Sequence, residues 1–154
     1  MRHGDAGSAP EGLGDDGRHL SSSGREQARA TGAALASRGV ALTELWCSPL
    51  VRAVQSAELA AGTLGYDGPV RTRPDLYPDS DQGVLLAALA ALPPEADVLV
   101  VGHMPYMAAA ASAALGLGVG GFSTGDAFRM HLDPPGGPGR SGRLLWRWQG
   151  RFLD

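Results

Sequence analysis

The 154-residue chain contains no lysine, because all thirteen of its Lys and Arg positions are arginine. This excludes the lysine-bearing P-loop and every Schiff-base mechanism. A single cysteine, Cys47, excludes an internal disulfide. No charged start is followed by the apolar stretch that directs secretion or membrane insertion, so a cytoplasmic location is the expectation. The formal net charge of -3 excludes the broad positive field that nucleic acid or an anionic membrane requires. Any anion must therefore be held locally, by a few well-placed groups.

What the chain does have is 44% hydrophobic content and moderate charge, the composition of a soluble, globular, single domain spanning residues 1–154, expected to be a monomer. Its arginines offer planar, permanently charged forks suited to phosphate or carboxylate. An Ala-, Gly- and Arg-rich composition explains their number equally well, so position has to carry the argument.

From Gly4 to Ser22 the sequence reads as a long loop, of the length that in small domains is functional or disordered. Ser23, Gly24, Arg25 and Glu26 form a capping box for a helix that stops at Gly39. "LTELWC" reads as a buried strand, and Ser48 and Pro49 supply the N-cap and first residue of a second helix ending near Gly65. A strand in "VRTRPDL", a helix in "DQGVLLAALAAL", a doubly buried parallel strand in "DVLVV" and a helix in "PYMAAAASAALG" follow. "AFRMHLD" and "RLLWRWQ" alternate with period two across "PPGGPGRSG", the pattern of an antiparallel hairpin. This order predicts an α/β fold: a three-layer sandwich with a mostly parallel central sheet and an antiparallel edge.

Ligands of open α/β sheets gather at the carboxyl ends of strands, where helix N-termini also point. Arg2 and His3 fall where a first strand would finish, Arg52 in the first turn of the second helix, and His103 at the end of "DVLVVGH". Together they predict an anion pocket containing a nucleophile, with phosphate as its ligand. Only Met1 and Arg2 precede His3, too few for a buried strand, so the first strand is expected to be missing or truncated before residue 1.

The "RHG" of Arg2 to Gly4, "SPLVRAVQSA" around Arg52 and the "GH" of Gly102 and His103 resemble the histidine phosphatase superfamily, the phosphoglycerate-mutase-like fold. "RHGDA", "RHLSSSG", "DLYPDSD", "VLVVGHMPYM" and "FSTGDAF" follow the order of its small SixA-type phosphohistidine phosphatase branch. The resemblance implies that His3 is a nucleophile forming a phosphohistidine intermediate. It also implies that Arg2, Arg52 and His103 surround the phosphoryl oxygens, that Arg18 reaches the phosphate, and that no metal or other cofactor takes part. Relatives that cleave phosphate esters carry a glutamate after a leucine where this chain has Leu76, Tyr77 and Pro78. Imidazole leaves a phosphoramidate with less protonation than an alkoxide needs, so the missing acid favours phosphohistidine. Asp5 is the remaining candidate for proton transfer, with a plain loop aspartate as the alternative. The implied partner is a phosphohistidine-bearing protein, such as a phosphotransfer domain of a signalling relay.

Other readings compete. A small phosphomonoesterase, a phosphate-binding module without turnover, and a metal site on His3, Asp5 and His103 all remain open. "GLGVGG" fits a dinucleotide pattern but lies after a helix and before a strand, the reverse of the required order. "GFSTG" fits an esterase elbow but precedes a strand. His19 and His131 read as structural or exposed, the three tryptophans as packing, and Cys47 as a buried strand residue.

Overall fold

The computed structural model describes residues 1–133 and 142–153. Two stripes of small side chains organise one layer of it. Ala28, Thr31, Gly32 and Leu35 are buried on helix α1 (Ser22–Ser37), and Ala53, Ala57, Ala60 and Ala61 on helix α2 (Val51–Leu64). Their spacing puts each set on one helical face, and the two faces pack together. Gly32 lies so close to the Ala60 carbonyl that no side chain fits between them.

The helix boundaries differ from the expected ones by two residues. The N-cap of α1 is Ser21, not Ser23: its hydroxyl accepts from the Gly24 N–H at 3.0 Å and donates to the Asp5 carboxylate at 2.6 Å. That tertiary partner gives Ser21 an advantage no local pattern reveals. α2 begins at Val51 rather than at Pro49, because the Ser48 N–H is bound to the Val101 carbonyl at 3.0 Å, extending the sheet. The Ser48 hydroxyl instead accepts from the Leu50 N–H within the turn. α2 stops as expected at Gly65, whose φ of 84° is left-handed.

Strands β1 (Glu44–Cys47), β2 (Val70–Thr72) and β3 (Val98–Val101) form a parallel sheet in the order β2-β1-β3. Its two faces are both apolar. Leu45, Cys47, Leu99 and Val101 join the core beneath α1 and α2, whereas Trp46 meets Leu85 of α3 (Gln82–Ala90) and Tyr106, Met107 and Ala110 of α4 (Tyr106–Leu115). Burying a leucine such as Leu45 contributes about 1.5–3 kcal/mol. Helices on both faces give the expected three layers.

The second sheet is antiparallel: β4 (Ala127–Leu132), β5 (Gly142–Trp148) and β6 (Phe152–Leu153), with a register shift between Arg129 and Met130. Apart from Gly142, the turn expected over 134–142 lies outside the described residues. Trp146 and Phe152 meet edge to face, and Trp46 and Trp146 are buried. Cys47 is fully buried, and desolvation pushes its thiol up to about 11, leaving it unreactive.

The two sheets meet at the first three residues. Gly102 N–H donates to the Met1 carbonyl and His3 N–H to the Gly102 carbonyl, while on the other side Arg2 N–H reaches the Asp126 carbonyl and Gly125 N–H the His3 carbonyl. Although so little chain precedes it, His3 is thus pinned between β3 and the turn before β4.

The loop after His3 packs backbone to backbone on α1: a Cβ on Gly24 would overlap the Asp5 carbonyl, and one on Gly4 the Gly24 carbonyl. Gly24→Ala should therefore lose about 1–3 kcal/mol in urea unfolding through overpacking. Gly62→Ala, where a Cβ meets open space, should be neutral or gain up to about 1 kcal/mol from helix propensity.

Candidate active site

Several separate stretches of backbone deliver the residues of the pocket. The clamp around residues 1–3 presents Arg2 and His3, the first turn of α2 presents Arg52, and the end of β3 presents His103, whose carbonyl accepts from the Met107 N–H of α4. The turn that closes the site is held by Asp126, which is buried and accepts from the Ser123 N–H at 2.7 Å and the Gln149 side chain at 3.0 Å. Its Gly125 adopts a φ of 80°, a conformation that favours glycine, and its carbonyl accepts from the Thr31 hydroxyl.

His3 is 7% exposed, and its Nδ1 lies 2.7 Å from the Gly4 carbonyl oxygen. A carbonyl only accepts, so Nδ1 carries the proton and Nε2 keeps its lone pair. Desolvation, joined by the positive charges of Arg52, Arg2 and Arg18, lowers the His3 pKa to about 4 against the opposing bond to Gly4. His103 lies beside it, with ring centroids 5.0 Å apart. Burial, the His3 neighbour and Arg52 push it down to about 3. Both rings are neutral at pH 7.

Arg2 and Arg52 are each tied at their outer end, whereas Arg18 is held through all three of its nitrogens. Arg2 donates to the Phe122 carbonyl at 2.7 Å, and Arg52 to the carbonyl and the carboxylate of Asp15 at 2.9 and 2.8 Å. Arg18 donates to the Gly7 and Ala6 carbonyls and to the other Asp15 carboxylate oxygen. What is left over points to the chemistry. Nε of Arg2, Nε of Arg52 and both ring nitrogens of His103 are buried and have no hydrogen-bond partner among the described residues. Such groups cost about 1–3 kcal/mol each when nothing satisfies them. A tetrahedral oxyanion would satisfy several at once.

The cavity has a volume of about 320 Å³, and all six expected site residues line it: Arg2, His3, Asp5, Arg18, Arg52 and His103. Asp15, Ala6, Pro78, Met104 and Thr124 line it too and were not anticipated. Asp15 stands three residues before Arg18, a spacing that suits an ion pair and was readable; Thr124 carries no such signal. Asp5 turns its carboxylate to the Ser21 hydroxyl while still bordering the cavity. His19 and His131 are exposed. Among the described residues no group of three or more His, Cys, Asp or Glu side chains is arranged to hold a metal ion, so His3, Asp5 and His103 do not form a ligand set.

Fold and pocket together define the histidine phosphatase class: neutral imidazoles and arginine forks at the strand ends of an α/β sandwich. Residues 1–77 match the model of the histidine phosphatase superfamily (branch 1), and the chain belongs to that family. It is 34% identical over 109 residues to the phosphohistidine phosphatase SixA of Escherichia coli (strain K12), an alignment covering 70% of this chain and 66%, just under two thirds, of that protein. The structure of the protein histidine phosphatase SixA complexed with tungstate superposes with a TM-score of 0.85 at 30% identity, over 96% of this chain and 92% of the other. A mycobacterial glucosyl-3-phosphoglycerate phosphatase shares the fold, with a TM-score of 0.67 at 22% identity over 94% of each chain.

Neutral burial of the two histidines has a pH signature. Below the ordinary value of 6.5 the unfolded chain binds protons that the folded chain refuses until about pH 4 at His3 and about pH 3 at His103. The unfolded state then holds more protons, so stability must fall as pH drops through this window. Denaturant midpoints measured from pH 7 to pH 4 should decline, and the slope should flatten in His3→Gln and His103→Gln proteins.

Proposed function

We propose that this chain is a metal-independent phosphatase that hydrolyses phosphohistidine on a protein substrate, with His3 as its nucleophile. The observation that carries the proposal is the set of buried N–H groups without partners, on Nε of Arg2, Nε of Arg52 and one ring nitrogen of the neutral His103, beside the lone pair of His3. They form a preorganised cradle for a PO3 group, and phosphoryl transfer depends mainly on such positioning and charge stabilisation. The names of the SixA relatives, and the tungstate oxyanion bound by one of them, support the same reading.

In the first step Nε2 of His3 attacks phosphorus, a new N–P bond forms, and the N–P bond of the substrate breaks with departure of its imidazole. In the second, water attacks the phosphorylated His3, releasing phosphate and restoring the imidazole. Arg2, Arg52 and His103 hold the equatorial oxygens throughout, with Arg18 at the outer side. At the position where ester-cleaving relatives would carry a glutamate, the cavity wall is Pro78. The carboxylates that line the cavity among the described residues are Asp5 and Asp15. Asp5, with one oxygen taken by Ser21, supplies the modest proton transfer that an imidazole leaving group needs. A phosphotransfer domain in the cytoplasm is the substrate that fits this reading; no helix among the described residues is long and apolar enough to cross a membrane.

The test compares phosphate release from a phosphohistidine protein with release from sugar phosphates. The protein substrate should turn over faster, and faster turnover of the esters would overturn the proposal. His3→Ala should abolish an acid-labile, base-stable radiolabelled adduct. Arg52→Ala should lower kcat by about 10²–10³-fold, the typical effect of losing one oxyanion donor. Chelator should leave the rate unchanged.

A further inference from the structure

Asp15 opens a short 3-10 turn (Asp15–Gly17) in the loop that follows His3. Its side chain is 59% exposed, yet it grips an arginine side chain that is only 5% exposed: Oδ2 lies 2.8 Å from a terminal nitrogen of Arg52. The Asp15 carbonyl takes the other terminal nitrogen at 2.9 Å, and Oδ1 accepts from Arg18 at 3.1 Å. Asp15 lines the cavity with His3 and His103, and its charge is felt at His103. Arg52 is thus held by its outer end, and its Nε edge, buried and without a partner, is what remains for an anion. Two arginines that would bind phosphate share a full negative charge at the wall of the phosphate's own pocket.

We infer that Asp15 is a specificity-determining residue: it fixes the fork of Arg52 while its charge weakens the pocket's hold on free phosphate relative to the PO3 group in transfer. The inference rests on the phosphatase reading above. Its physical basis is the difference in charge between the two species. A phosphoryl group in a loose transition state resembles metaphosphate, with about one negative charge, whereas released inorganic phosphate, whose second proton leaves near neutral pH, carries roughly one and a half at pH 7. A fixed carboxylate on a residue of the pocket wall repels the second more strongly. Transition-state binding is thereby favoured over product binding. Hydrogen bonding and charge from Arg18 and Arg52 hold the Asp15 carboxyl below its ordinary pKa, so the repelling charge persists over the working pH range.

Asp15→Asn removes the negative charge and keeps one acceptor: its single amide oxygen serves Arg52, whose other bond, to the Asp15 backbone carbonyl, is untouched, and the bond from Arg18 is given up. The measurement is inhibition of phosphohistidine hydrolysis by inorganic phosphate. The inhibition constant should fall about tenfold in Asp15→Asn, an effect that structural damage, which loosens binding, would not produce. Asp16→Asn removes the same charge from the next residue, an exposed side chain outside the cavity, and should stay within about twofold of the parent. An unchanged or raised constant in Asp15→Asn overturns the inference, and so does an equal tightening in both variants. Failure of phosphate to inhibit the parent protein at all would instead remove the phosphate pocket, and this inference with it.

Discussion

The pairing of residues 1–3 between β3 and the turn before β4 is the constraint from which the rest of the site follows. Backbone bonds to Gly102 on one side and from Gly125 on the other fix the main chain of His3 in two directions. The Gly4 carbonyl then fixes its ring and its tautomer. In the nucleophilic role proposed for it, a ring held this way has little rotational freedom to lose when a substrate arrives, and such orientation in advance removes part of a reaction's entropic barrier. The same pairing excludes water from the ring, which keeps it neutral.

Charge in the pocket is arranged against the overall character of the molecule. The chain is net negative, so no long-range field draws an anion in. Attraction comes from Arg2, Arg18 and Arg52 at short range, and two imidazoles kept neutral by burial and by those same cations stand among them. The arginines therefore have two effects on His3. In the proposed reaction they bind the group it attacks, and in the structure their charge helps keep its lone pair free of a proton.

Much of this was legible from the residues. The order of strands and helices followed from alternating apolar runs and glycine stops, and Arg2, His3, Arg52 and His103 were readable because each lies at a strand end or helix start. Arg18 came through the family resemblance, and Asp5 through its place two residues from His3, rather than through periodicity. Less legible were the features set by contacts remote in sequence. Ser21 displaced the capping box because Asp5 reaches it across sixteen residues, and α2 began late because Ser48 was drawn into the sheet by Val101. The spacing of Asp15 to Arg18 was readable, but its grip on Arg52 was not, because only the fold brings those two together. Local pattern reports local energies, and these three choices are tertiary.

One buried hydroxyl carries a mechanical implication. Ser56, a turn along α2 from Arg52, donates to the Arg52 carbonyl at 2.6 Å and accepts from the Gly4 N–H at 3.0 Å. It rivets the helix that bears the Arg52 guanidinium to the peptide that follows the His3 imidazole. When the domain breathes, those two groups must travel together, so thermal motion shifts the site as a block and leaves its internal spacing nearly constant.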